Sequence, residues 1–288
     1  MTFLSRHAGP GAYDALRHPS HYYAAIARVQ RLATYSDGAG NKIVYSGSIE
    51  QNIQIKFTGS NNLLVVSDGA RIGRLSVDFD CHNGVLQIGS SHGVPAFSGS
   101  IRVGQDSKVL IGDNVSTTST VAMSATEGTT IRVGDDVMFA SENQIRADDG
   151  HPIFDVRTSK RVNVSKSITI GNHVWLARGA VVLGGASIGD GTVIGYGSIV
   201  TRKIPNNCVA AGVPAKVVRR DTAWERPHLS LIKPFYKPDA STVKKSKYWN
   251  LTEDEAPKAS SRPTAAKRAL RKALCTIRAA KRLVRSAG

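Results

Sequence analysis

The sequence predicts an all-β fold, a parallel β-helix built of triangular coils, and three observations carry that expectation. From Ile170 every sixth residue is a large aliphatic: Ile170, Leu176, Val182, Ile188, Ile194 and Val200. Two places before each next step stand Val174, Ala180, Ala186, Thr192, Ser198 and Ile204, most of them small. The chain also carries 27 Gly and only 6% aromatic residues, which suits many tight turns better than a helical bundle. A helix repeats every 3.6 residues and an alternating strand every two, so neither holds a strict step of six. Short strands separated by turns around a triangle do, because one aliphatic points inward on each face.

In chain order, residues 1–19 are rich in Gly, Pro and His and show no period. Tyr22, Ile26, Val29 and Ala33 recur at helical spacing after Pro19, with Ser20 as N-cap, so the spacing predicts a short helix over 20–34 that covers the first coil and its open edge. Residues 1–40 are thus an N-terminal segment with a capping helix, ended by Ser36–Asn41. Residues 41–220 form the β-helix. Ile43, Ile49 and Ile55 keep the step of six; Val66 and Ile72 rejoin it. Through 73–128 the repeats are irregular. The pairs Ile72-Gly73, Ile88-Gly89, Val103-Gly104 and Ile111-Gly112 suggest further coils, with loops at 90–100 and 116–128. Val133, Phe139 and Ile145 regain the period. Roughly seven to nine coils of about 18 residues would stack at about 4.8 Å. Residues 146–167 are too polar to continue a coil and are expected to be extruded as a loop, the place where chemistry sits on rigid scaffolds. Residues 221–262, with Trp224, Tyr236, Tyr248 and Trp249 among prolines, read as an extension packed on the outside of the coils or on a neighbouring subunit. Residues 263–288 read as a basic amphipathic helix, with Leu270, Leu274, Ile277 and Val284 on one face.

Composition excludes several classes. No run of about 18 apolar residues exists, so no transmembrane helix is expected, and the N-terminus lacks the apolar core of a secretory signal. Cys81, Cys208 and Cys275 are odd in number and far apart, which fits a reducing cytoplasm and no disulfide framework; Cys208 reads as a buried small residue. Of the net charge of +16, ten positive charges lie in residues 258–288, which hold no acid. Such a helix suits an anionic leaflet, a subunit contact, or, as the weakest alternative, nucleic acid. No His-x4-His pair occurs within the repeats and no Gly-rich nucleotide loop precedes them, so neither a three-histidine zinc site nor a fused nucleotidyltransferase is supported.

The segments Val174–Leu176, Ile188–Thr201 and Gly212–Arg219, with DGHPIFD at 149–155, resemble the hexapeptide-repeat acyltransferases, closest to those that O-acetylate sugars and polysaccharides. The resemblance covers about residues 130–220. It implies coils of left-handed sense, which the spacing does not, since crossovers between parallel strands are otherwise right-handed. It implies acetyl-CoA as acyl donor, no metal, a sugar hydroxyl as acceptor in a surface glycan or its precursor, and a homotrimer with its grooves between neighbours.

His151 is the candidate base, because an imidazole suits removal of a hydroxyl proton near neutral pH. Its other nitrogen needs an acceptor: Asp149 by the family pattern, with Asp155, Glu142 or a backbone carbonyl as alternatives. Asn163, in the same loop, is a candidate for acceptor contact, and the family resemblance makes Trp175 a wall of the reaction centre; a Trp that merely packs at the subunit contact is the plainer reading. For the cofactor, Ala177, Gly195, Tyr196 and Ser198 occupy turn positions one coil apart. Tyr196 departs from the family's small residue and either narrows the groove or reaches the acceptor or the adenine. Thr201, Arg202, Lys203, Lys216 and Arg219 gather at the end of the coils, where cations suit the phosphates of the coenzyme. His173 reads as an exposed turn residue. The alternative from another class is a non-catalytic β-helix acting as scaffold or binder.

Overall fold

The aliphatic column points inward: Ile170, Leu176, Val182, Ile188, Ile194 and Val200 are all buried, and so are Val174, Ala180, Ala186, Thr192, Ser198 and Ile204 beside them. These two columns continue upstream as a single apolar core from Leu32 to Ala210. The structure, a computed structural model, describes residues 26–230, 232–233 and 236–254. Three sheets of eight, nine and six strands wrap the core. The chain visits them in a fixed order. Val121–Ala125 lies on the first face, Thr130–Val133 on the second, Met138–Phe139 on the third, and Gln144–Arg146 returns to the first. Successive strands on a face are parallel and stack one coil above the next. The β-solenoid expectation holds, with about seven coils. Among the described residues there is no α-helix, and no helix long and apolar enough to cross a membrane.

Coil length departs from the expected 18 residues. Ile53 pairs with Leu75, Leu75 with Gly99, Gly99 with Val121 and Ala122 with Gln144, so the early coils take 22 to 24 residues; Val181 pairs with Ile199, only 18 on. The early coils have longer strands, and their width is filled by aromatics. Phe57 and Phe79 stack at 5.0 Å, with Tyr35 on Phe57 at 5.8 Å. The stretches 90–100 and 116–128, expected as loops, hold the start of the strand Phe97–Val103 and the strands Ser116–Thr117 and Val121–Ala125. Their polarity is compatible with burial because the hydroxyls are bonded: Thr117 Oγ1 accepts from the Ser98 N–H, and Ser124 Oγ donates to Asp148.

One corner explains the recurring Gly. Gly89, Gly112, Gly134, Gly171 and Gly189 follow buried aliphatics and stack where the second face turns into the third. A Cβ on Gly134 would lie 2.6 Å from the Gly171 carbonyl, so only a bare Cα fits. Beside this column Asp113, Asp135, Asn172 and Asp190 pass hydrogen bonds from coil to coil; each side chain accepts a backbone N–H of the coil before it.

The helix expected over 20–34 is not formed in its described part. Ala27–Val29 is a strand antiparallel to Ile53–Phe57, and Leu32 bridges to Ile49; residues 20–25 lie outside the described residues. The exposed edge of Ile53–Phe57 offers N–H and C=O groups that a strand satisfies and a helix leaves unpaired. At the other end Ala215–Arg219 turns back antiparallel on Val209–Gly212 and closes the last coil. The extension then runs along the outside and comes back to its start. Asp221 and Thr252 exchange hydrogen bonds, and the buried Asn207 amide holds the Thr222 and Tyr248 carbonyls. The basic helix expected over 263–288 lies outside the described residues.

Candidate functional site

The coil closes without the polar insertion: the Lys166 N–H donates to the Ala147 carbonyl at 3.0 Å, and the coil resumes at Ile168–Ile170. Residues 148–165 therefore leave the corner between the first and second faces as an arm. Its two legs pair antiparallel, with Phe154 opposite Arg161 and the Val162 N–H on the Ile153 carbonyl at 2.9 Å. At the tip Asp155 accepts the N–H groups of Arg157 and Thr158 and the Thr158 hydroxyl. The Thr158 bonds, with that from Arg157, hold its carboxyl below the ordinary value. Asp155 shapes the turn.

The foot of the arm is tied to the solenoid in two places. Asp148 is buried and accepts Ser124 Oγ at 2.6 Å and the Gly150 N–H at 3.1 Å. Glu127 accepts Arg161 Nη1 at 2.5 Å and the Ser165 N–H at 3.2 Å; the Arg161 hydrogen bond, then those from Ser165, lower its carboxyl to about 2.

Between these ties stands His151, exposed to solvent. The Asn163 amide fixes its backbone: Nδ2 donates to the His151 carbonyl at 2.8 Å and to Asp149 Oδ2 at 2.9 Å, while Oδ1 accepts the Ile153 N–H at 2.7 Å. Asp149, His151, Asp155 and Asn163 thus come together on one arm. Asp149 spends its hydrogen bond on Asn163, and among the described residues no hydrogen bond reaches the His151 ring. Glu142 is on another corner, paired with Arg178 at 2.6 Å.

The remaining expected residues divide among the corners. Thr201, Arg202 and Lys203 follow the strand Ile199–Val200 on the corner of the arm, all exposed, with Lys203 Nζ bonded to the Asp254 carbonyl at 2.7 Å. Ala177 and Gly195 stack between the third and first faces: the Ala177 N–H donates to the Ile194 carbonyl, and the Gly195 N–H to the Ala210 carbonyl. Exposed Tyr196 follows Gly195, and Lys216 lies opposite Ala211 at the same corner. Arg219 pairs with Val209 at the start of the third face. A single chain therefore keeps His151 and the small-residue ledge on different corners.

Trp175 begins a third-face strand and tilts against Trp224 at 5.9 Å. His173 is not an exposed turn residue. Its ring lies between Trp224 at 4.2 Å and Tyr248 at 4.8 Å, with Nδ1 2.6 Å from Asp136 and Nε2 2.9 Å from the Trp224 carbonyl. The extension supplies the cover that the turn Gly171–His173 lacks in sequence. Arg226 completes the cluster, donating to Asp136, Ser116 Oγ and the Asn114 carbonyl. Among the described residues no group of three or more His, Cys, Asp or Glu is placed to hold a metal ion.

Residues 167–202 match the model of the bacterial transferase hexapeptide (six repeats). The chain is 40% identical over 128 residues to the polysialic acid O-acetyltransferase of Escherichia coli O1:K1 / APEC, which is 44% of this chain and 41% of that protein. It therefore spans about two-fifths of the length of that curated relative. The crystal structure of the polySia specific acetyltransferase NeuO superposes with a TM-score of 0.55 at 35% identity, over 65% of this chain and 79% of that one. The chain belongs to the hexapeptide-repeat acyltransferase family. The polysialic acid O-acetyltransferase OatWY is 28% identical over 58% of this chain and 89% of that one, with a TM-score of 0.47.

Within this acyltransferase fold, sequence reading misses the residues that hold the arm. Asp148 is one of two adjacent Asp, and its partner Ser124 lies 24 positions away. Glu127 meets Arg161 across 34 positions. No local spacing signals either contact. Trp224 did carry a signal, as a large aromatic in a polar extension.

Proposed function

We propose that the protein transfers an acetyl group from acetyl-CoA to a hydroxyl of a sugar, in a cell-surface polysaccharide or its precursor, with His151 as general base. The observation that carries this reading is the arm: an exposed imidazole whose backbone is fixed by Asn163 and Asp149 and whose foot is tied to rigid coils. The similarity to proteins named as polysialic acid O-acetyltransferases supports the choice of reaction and of acceptor class. The His151 ring takes the proton from the acceptor hydroxyl as its oxygen attacks the thioester carbonyl. The C–S bond then breaks, and the imidazolium returns the proton to the departing thiolate. Asp149 and Asn163 act as positioning residues, and Asp155 keeps the tip of the arm in shape.

The donor fits the small-residue ledge. Ala177 and Gly195 have no side chain beyond a methyl group, which leaves room for an extended pantetheine arm; Tyr196 and Lys216 border it, Thr201, Arg202 and Lys203 reach the phosphates only from the arm corner of a neighbouring chain, and Arg219, at the start of the third face, lies away from the ledge. Left-handed coils and a homotrimer are what the family resemblance implies; since ledge and imidazole lie on different corners of one chain, in this reading each chain lends its ledge to the arm of the next. The apolar arm residues Ile153, Phe154, Val156, Val162 and Val164, each more than half exposed, support such a neighbour. Trp175 belongs to the wall of that groove. The expected division of the chain belongs to the same proposal: N-terminal cap, catalytic β-helix over 41–220, extension, and a basic segment over 258–288 that meets an anionic cytoplasmic leaflet.

The test is thiol release from acetyl-CoA with a panel of glycan acceptors. His151→Ala lowers turnover by about 10²- to 10⁴-fold with an unchanged melting temperature. Wild-type turnover in that variant removes the proposal.

A further inference from the structure

The extension that follows the coils has two sides. Its inner side is tied down: Trp224 and Tyr248 stack on His173, Glu225 accepts the Ser246 N–H and Trp249 Nε1, and Thr252 bonds to Asp221 and to the Asn207 carbonyl. The residues between these ties, Lys245, Lys247, Trp249 and Leu251, are exposed. Lys245 Nζ lies 4.5 Å from the centre of the Trp249 ring, so cation and aromatic share one side. Upstream, the Ser230 N–H donates to the Pro238 carbonyl at 3.0 Å. Between them Ile232 is 79% and Tyr236 87% exposed, far beyond what packing on this chain would leave.

The charge here is one-sided. Residues 227–251 hold five Lys and one Asp, a net of +4. Asp239 is engaged within its own turn, where it accepts the Ser241 N–H at 2.7 Å. Among the described residues no carboxylate pairs with Lys237, Lys244, Lys245 or Lys247. The chain then continues into residues 258–288, with ten further cations and no acid.

This combination selects the partner. Lysines alone suit any polyanion, including a nucleic acid. Ile232, Tyr236, Trp249 and Leu251 leave water only where an apolar layer lies beneath the charges. An anionic bilayer has that layering: Tyr and Trp rings seat at headgroup depth, and lysines gain from the surface potential above them.

We infer that the outer side of the extension docks on an anionic lipid bilayer, with Ile232, Tyr236, Trp249 and Leu251 in the headgroup layer and Lys237, Lys244, Lys245 and Lys247 beside the lipid phosphates. It goes beyond a leaflet contact by 258–288, since it gives the membrane a footing on the described fold. It does not depend on the acyl-transfer reading of the arm.

The experiment is vesicle co-sedimentation of the full-length protein at about 0.1 M salt, with phosphatidylcholine alone and with phosphatidylcholine containing phosphatidylglycerol. Two variants keep residues 258–288 intact: one carries Lys237→Gln, Lys244→Gln and Lys247→Gln, the other Ile232→Ser and Tyr236→Ser. All five side chains are exposed, so both variants melt as wild type does. Wild type pellets with the anionic vesicles and not with the neutral ones. The lysine variant binds about a hundredfold more weakly, at about fivefold per charge, and the Ile232/Tyr236 variant about tenfold. Lipids brominated on their acyl chains quench tryptophan fluorescence on binding, and Trp249→Phe removes that quenching. Unchanged vesicle binding in both variants places the contact in 258–288 alone and overturns the inference. So does equal binding to neutral vesicles, or retention on duplex DNA without any on vesicles. A change of oligomeric state in the Ile232/Tyr236 variant, with vesicle binding kept, assigns these side chains to a second copy and overturns it too. His151→Ala pellets as wild type does, so loss of the transferase reading leaves this test standing.

Discussion

Asn163→Ala tests whether a fixed arm, and not merely the presence of an imidazole, sets the rate. Asn163 makes the bonds that hold the His151 backbone: to the His151 carbonyl, to Asp149 Oδ2 and from the Ile153 N–H, at 2.7 to 2.9 Å. All three are exposed, so water replaces each partner and the net loss per bond sits toward the low end of the usual range, about 0.5–1 kcal/mol. Three such bonds sum to roughly 2 kcal/mol in favour of the ordered arm, a factor of about 30 in population. The Phe154–Arg161 bridge and both Glu127 bonds survive, so the arm loosens around His151 without detaching. Turnover should fall about 10- to 30-fold, since only the competent fraction of the arm reacts. The acetyl-CoA KM and the melting temperature should stay within error. Asn163→Asp keeps the acceptor for Ile153 but loses both donors and puts a second carboxylate beside Asp149, so it should be no better than Asn163→Ala. Thiol-release kinetics and a melting curve decide it. A kcat within twofold of wild type in Asn163→Ala would refute the idea that this amide holds the reactive geometry.

Other outcomes concern the frame of the site. Burial alone would raise the Asp136 carboxyl, but the His173 hydrogen bond and Arg226 outweigh it and hold the group below its ordinary value. Its stabilisation is therefore complete above the unfolded value of about 3.9 and disappears as pH falls through the lower folded one. Asp136→Asn should lower the melting temperature at pH 7, with a gap to wild type that narrows below about pH 4; a gap constant down to pH 3 contradicts this. Trp224→Ala removes the ring stacked on His173 and the indole bond to its carbonyl, and should cost about 3 kcal/mol in urea unfolding while speeding proteolysis within 226–248. Unchanged cleavage there argues against Trp224 as the anchor of the extension. Gly134→Ala forces a methyl group onto the Gly171 backbone and should cost about 1–3 kcal/mol, read as a lower melting temperature, whereas Gly128→Ala, with open space around it and φ of 74°, should carry only the strain of that backbone conformation.

The regular half of the fold is legible because its period comes from geometry: a short strand and a turn take six residues, so Ile170 to Val200 announce their own direction. The early coils use longer sides, so the step of six fails there, and Phe57 and Phe79 fill the extra width in a way no period reports. The segment around Val29 has helical spacing, yet it pairs as a strand because a sheet edge lies beside it, and that edge is a property of residues 53–57. The arm stands out in sequence as a polar interruption with His151 in it. Its anchors do not, since Asp148 and Glu127 gain their roles from partners one or two coils away. His173 reverses its expected exposure for the same reason: Trp224, 51 residues on, is what buries it.

Gln144 pairs with Val181, 37 residues on, where the following coil needs only 18 between Val181 and Ile199. The surplus leaves and rejoins at one vertex, so the strands above and below keep their alignment whatever the detour contains. Residues 148–165 can therefore be rewritten without renegotiating the prism on which they stand. Chemistry and architecture are inherited on separate terms.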